Sequence, residues 1–215
     1  MPIRFVCLAN SYKLHGRCVA GIVLSENNKP ILQRGSPKWI RPISSTEHGE
    51  IPTELVAHLE LLDIVEIDEV IHVQHGHQSE NATFDERSIK LVGTFPIEEI
   101  SPLCEDQRPL IFGNRRKAVA QDAIHLLHHS LMLIRVDDFV VEEVPSPKSP
   151  GKTQYRLGFQ YKKNTYDFPI TDPVFLEDYK EDGECIEGAK ELFLTLSIGL
   201  NFDNFYFKLV AGILY

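Results

Sequence analysis

Histidine is the residue type with the plainest chemical potential in this 215-residue chain, and six of the nine histidines fall in two groups, His72/His75/His77 and His125/His128/His129. Neutral imidazole is a common metal ligand. His125 and His129, four residues apart, would share one helix face, but Leu126-Leu127-His128 between them lacks the glutamate of a His-Glu-x-x-His hydrolase. A zinc site needs three or four converging ligands, so neither a metal nor a cofactor is expected. No Gly-x-Ser-x-Gly elbow and no phosphate-cradling glycine loop occurs, and no catalytic residue is assigned.

The cations and their polar neighbours offer binding chemistry instead. Asn10, Ser11, Lys13 and Arg17 supply amide, hydroxyl and cationic donors suited to a phosphate or carboxylate; the alternative is a hairpin loop capping its own backbone. Arg41 precedes Pro42 and is therefore extended, able to project a bidentate fork, while Trp39 beside it suits base stacking or the core. Tyr161 belongs to an alternating set, Tyr155, Phe159, Tyr161, Tyr166 and Phe168, that reads as a stacking platform or as a half-buried core. Asp172 is an acceptor for a base or sugar, or the start of a turn. Lys208 stands before the last apolar run as a fourth candidate cation.

Composition limits what these residues can serve. Hydrophobic residues at 43% and charged residues at 25% describe an ordinary folded protein. The net charge of −9 argues against a generic polyanion binder, so any anionic ligand needs a local basic cluster. Four scattered cysteines without a Cys-x-x-Cys pair suit reduced thiols. The start is too short an apolar stretch for a signal peptide and no later run suits a membrane span, so the expected place is the cytoplasm, with no membrane partner.

Positioning these residues falls mostly to strands. Phe5–Leu8 and Cys18–Leu24 read as two strands around a polar loop, residues from Thr53 as a helical turn or two, and 61–67 as a strand. Arg115–His128, free of breakers, reads as a central helix. Strands follow at 130–136 and 139–144, then a Pro/Ser/Gly loop at 145–152 and a hairpin over 155–170. The acidic stretch 177–191 reads as a solvated loop, and strands close the chain at 192–197 and 206–215. Val19-Ala20-Gly21-Ile22 recurs as Val210-Ala211-Gly212-Ile213, two positions after Arg17 and Lys208 respectively, which points to two related β-modules.

Cys7-Leu8-Ala9-Asn10-Ser11-Tyr12-Lys13, Arg17-Cys18-Val19-Ala20-Gly21, Trp39-Ile40-Arg41-Pro42 and Gln78-Ser79-Glu80-Asn81 resemble the prokaryotic dual OB-containing domain family. Ile170-Thr171-Asp172-Pro173, Leu196-Ser197-Ile198-Gly199 and Tyr206-Phe207-Lys208-Leu209-Val210-Ala211 extend that resemblance to the end of the chain. It implies two OB-like β-barrel modules, expected here over residues 1–125, with the connecting helix, and 126–215. The fold class expected is mostly β with a central helix. The function expected is a binding module for a nucleic-acid end, single strand or nucleotide-like ligand; the alternatives are a protein-interaction adaptor and an enzyme acting on a small nucleotide.

Overall fold

The computed structural model describes residues 2–73, 76–146 and 151–215. The chain divides into two compact units, 1–103 and 104–215, each with its own core. The first unit holds β1 (Ile3–Lys13), β2 (Gly16–Leu24), β3 (Leu32–Gln33), β4 (Ser36–Pro37), β5 (Trp39–Ile43), α1 (Thr53–Val56), β6 (Asp63–Ile67), β7 (Ile71–His72), β8 (Asn81–Thr83) and β9 (Lys90–Thr94). Seven of these strands form one sheet in the order β7-β8-β5-β2-β1-β6-β9, antiparallel except for β5 with β8. Only residues 68–70 separate β6 from β7, so a short stretch of chain ties the two sides of the sheet together, the connectivity of a small barrel.

Strand β1 runs without a break through the polar stretch that reads as a loop in sequence. Asn10 tolerates burial because Nδ2 donates to the carbonyls of Val56 (2.7 Å) and Leu59 (2.9 Å), giving the end of α1 its partners. Opposite β2, Leu8 is an extra residue where the pairing steps from Cys7–Gly21 to Ala9–Ala20. A Cβ on Gly21 would lie 1.9 Å from the Val6 carbonyl oxygen, so only glycine lets the two strands approach there. Phe5, Cys7, Val19, Val23, Ile40 and Ala82 fill the core between them.

The second unit holds β10 (Ala118–Ala120), β11 (Leu131–Val136), β12 (Phe139–Pro145), β13 (Thr153–Tyr161), β14 (Asn164–Pro169), α2 (Pro173–Glu181), β15 (Leu192–Phe202) and β16 (Phe205–Leu214). Sheets β10-β16-β15-β11 and β12-β13-β14 share this unit. Asp137-Asp138 joins β11 to β12, and a parallel bridge between Ile170 and Val210 joins the end of β14 to β16. Strands thus connect in a ring around Met132, Ile134, Leu157, Phe159, Phe168 and Val210. Each unit has a helix, α1 after β5 and α2 after β14, and a parallel contact from the segment before the helix to a strand after it, β5 with β8 and Ile170 with β16, the OB-like arrangement.

Three expectations are corrected. The helix over 115–128 does not form: β10 occupies 118–120 and a 3-10 turn 124–126, because pairing of Ala118 and Ala120 with Phe207 and Phe205 outweighs local helix propensity. The division falls at 103/104 instead of 125/126, since Ile111, Phe112 and Val119 belong to the second core. A helix stands where a solvated loop is expected at the start of 177–191: Asp172 caps α2 through the amides of Val174 and Phe175, with Pro173 in the first turn.

The repeated Val-Ala-Gly-Ile lies in the second strand of a long hairpin in each unit, β1–β2 and β15–β16, and each hairpin contains a pairing shift beside it. The two hairpins are the first of the first unit and the last of the second, so the echo marks like geometry at unlike places in the ring.

Candidate nucleic-acid interface

Most of the residues that sequence singles out for binding hold the protein's own backbone. Arg41, 2% exposed, pairs with the equally buried Glu80 (Nη1 to Oε1, 3.0 Å) and donates to Oδ1 of Asn81 (3.3 Å). Ser11 is buried within β1. The Tyr161 hydroxyl donates to the Arg108 carbonyl (2.8 Å) and lies 3.2 Å from that of Glu105; burial, with Asp106 and Glu105 nearby, pushes its pKa up. Asp172 also accepts from the Ile213 amide (3.1 Å), and burial raises its pKa despite three N–H donors. Lys208, fully buried, donates through Nζ to the carbonyls of Ile111 (2.7 Å) and Asn114 (2.9 Å) and to Oδ1 of Asn114 (3.0 Å). Its ammonium sits over the rings of Tyr166 and Phe168, and desolvation lowers its pKa to about 7. Of the other aromatics in the alternating set, Phe159, Tyr166 and Phe168 pack on each other inside the core, and Tyr155 lies at its margin against Tyr179.

Lys13 and Arg17 differ from these. They flank the β1–β2 turn, where Tyr12, Leu14 and His15 are exposed and Leu14 adopts a left-handed φ of 52°. The Arg17 guanidinium lies 4.7 Å from the centre of the Tyr12 ring, and Nη1 donates to the Asn10 carbonyl (3.2 Å). Burial lowers the pKa of Lys13, with Cys18 and Glu50 opposing and Arg41 reinforcing the shift. This tip presents a cation already stacked on an exposed ring.

A larger aromatic surface lies on the β15–β16 hairpin, which sequence reading ends at Ser197 and restarts at Tyr206. Its turn is Asp203-Asn204, both residues at positive φ (51° and 65°), a conformation these two types tolerate. Phe202 pairs with Phe205, and Phe205 and Phe207 point to one side of β16, opposite Ala120 and Ala118 of β10. Phe202 is 54% and Phe205 42% exposed, and both rings lie about 6.5 Å from that of Phe207 (6.4 and 6.5 Å). The other side of the strand sends Tyr206, Lys208 and Val210 inward. Arg115 and Arg116, both exposed, lead into β10 along this sheet. The Asp203-Asn204 pair between aromatics is the signal that marks this tip in sequence.

His75 lies outside the described residues. Among those described, no three His, Cys, Asp or Glu side chains converge as a metal site, and no helix is long and apolar enough to cross a membrane.

Two barrel-like units, one with a hairpin tip carrying Tyr12, Lys13 and Arg17 and the other with a tip carrying Phe202 and Phe205, define an OB-type scaffold. Residues 3–213 match the dual OB-containing domain, and the chain belongs to that family. No curated protein sequence matches it. Among solved structures it is similar to the tetrameric p202 HIN2 (TM-score 0.31, 9% identity, covering 100% of this chain and 91% of that one). It is also similar to a murine DNA-binding protein bound to double-stranded DNA (0.36, 9%, 100% and 97%). A third is a replication protein A heterotrimer bound to single-stranded DNA (0.37, 11%, 93% and 44%). These likenesses are loose.

Proposed function

We propose that the protein binds single-stranded nucleic acid, stacking bases on Phe202, Phe205 and Phe207 while Arg115 and Arg116 meet the phosphates. The observation that carries this reading is a contiguous aromatic face, exposed at Phe202 and Phe205, on the sheet into which the exposed Arg115 and Arg116 lead. The β1–β2 turn joins the first two strands of its unit, and the β15–β16 turn joins the two strands that follow α2 in the other. Those are the loops that OB folds use for oligonucleotides. Base stacking tolerates any sequence, because every base has a π-face. Lys13 and Arg17, with Tyr12, offer a second contact of the same chemistry. Arg41, Tyr161, Asp172 and Lys208 serve the fold in this reading, as do Asn10 and Ser11.

The test is a titration of labelled single-stranded oligonucleotides at several salt concentrations against the parent, Phe202→Ala, Phe205→Ala and Arg116→Ala. Each phenylalanine change weakens binding by about 1–3 kcal/mol. Arg116→Ala flattens the salt dependence by roughly one counterion. If the parent binds no strand at low salt, the aromatic face is a protein-docking surface and the adaptor reading replaces this one.

A further inference from the structure

The loop leading into β10 is held by buried polar side chains. Tyr161 ties down the carbonyl of Arg108, and Lys208 ties down those of Ile111 and Asn114. Between them Phe112 adopts φ 47° and ψ 43°, followed by Gly113 at φ 73°. A non-glycine residue in that region is strained. Burying an ammonium without a carboxylate partner is a second local penalty. Both penalties converge on one turn, and strain persists where the surroundings impose a particular shape.

That turn forms a wall of a cleft of about 410 Å³ within the second unit. The volume lies toward the lower end of the roughly 300–1,000 Å³ usual for small-molecule sites. The half-buried His129 ring, with the buried Phe112 ring 5.8 Å behind it at a tilt of 42°, forms one wall, and Leu126 and Leu127 add apolar surface. Arg108 and His128 supply the polar groups, with no aspartate or glutamate among the described lining residues. Nε of Arg108 donates to Oε2 of Glu105 (2.6 Å), which fixes the guanidinium and leaves its two terminal amino groups for another acceptor. A half-buried imidazole and two leucines beside such donors match a flat ring carrying an anion.

We propose that this cleft binds a nucleoside monophosphate group, its base against His129, which Phe112 backs from the core, and its phosphate at Arg108 and His128. The group is either a free nucleotide or the phosphorylated end of a strand. Tyr161 and Lys208 are positioning residues for it, acting through the loop that they hold. The proposal does not depend on stacking at the β15–β16 tip.

Calorimetric titration of the full chain at low salt tests it, with AMP, UMP, and one oligonucleotide prepared with and without a terminal phosphate. Leu126 is 67% exposed and His128 is exposed, so Leu126→Trp, which fills the cleft, and His128→Ala leave the core intact. Leu126→Trp abolishes binding, and His128→Ala weakens it about tenfold, as loss of one bond to a charged group does. Phe205→Ala leaves AMP affinity unchanged. Binding of AMP or UMP assigns the free nucleotide; binding of the phosphorylated strand alone assigns a strand end; either supports the cleft. Failure of every probe overturns the proposal, as does binding that survives both cleft variants or is lost in Phe205→Ala. An unphosphorylated strand that fails to bind where AMP succeeds refutes the hairpin reading while sparing this one.

Discussion

Arg41→Ala distinguishes a structural arginine from a ligand-binding one. Arg41 and Glu80 are each 2% exposed at the side chain and 3.0 Å apart. Removing the guanidinium leaves a carboxylate in a site closed to water and strips Oδ1 of Asn81 of a donor. Breaking a buried pair from one side costs about 3–5 kcal/mol, far more than loss of a surface pair. With a urea slope near 1.5 kcal/mol/M, the unfolding midpoint of the first unit falls by about 2–3 M. Trp39, the only tryptophan, lies two residues away on β5, so its fluorescence follows the first unit alone. The double variant Arg41→Met/Glu80→Leu removes both charges and recovers most of the loss. A structural role for Arg41 is refuted if Arg41→Ala unfolds within about 1 kcal/mol of the parent while oligonucleotide affinity collapses. That result would mean that the arginine reaches a ligand.

Gly21→Ala forces a Cβ against the Val6 carbonyl oxygen and lowers the stability of the first unit by about 1–3 kcal/mol or more, read by the same fluorescence melt. Lys208 gives a pH signature: its pKa is about 7 when folded and 10.5 when free, so between those values the unfolded chain binds the extra proton and stability rises with pH. The melting temperature therefore climbs from pH 7 to 9, below the range where the Cys104 thiol, held up to about 12 by burial, reverses the trend; Lys208→Met abolishes the climb. Dialysed protein holds no stoichiometric zinc by elemental analysis; one zinc per chain would redirect attention to the histidine groups.

Strand-rich architecture was legible in sequence wherever side chains alternate or run apolar, as at β13, β14 and β16, because period-two patterning records which face is buried. The helix expected over 115–128 failed for the opposite reason: local propensity there is overridden by pairing with β16, more than eighty residues away, which no window detects. Asp172-Pro173 does announce α2, but the acidic run and two glycines after it hide the signal. At the site, residue type identified groups capable of binding without revealing their direction. Arg41 and Lys208 have the right chemistry and point inward, whereas Phe202 and Phe205 look like core residues and point outward, a distinction that only the hairpin register decides.

The long reach of Lys208 has a consequence for synthesis on the ribosome. Its partners Ile111 and Asn114 precede it by 97 and 94 residues. At 5–20 residues per second, the Phe112 turn therefore waits about 5–20 s for its clamp after it has been made. Strands β1 to β9 have all been translated by Thr94, so the first barrel can close while the second still lacks its final strand. During that interval Tyr166 and Phe168 have no ammonium beside them and β10 has no neighbour. The nascent second unit is then the part of the chain most in need of protection from aggregation.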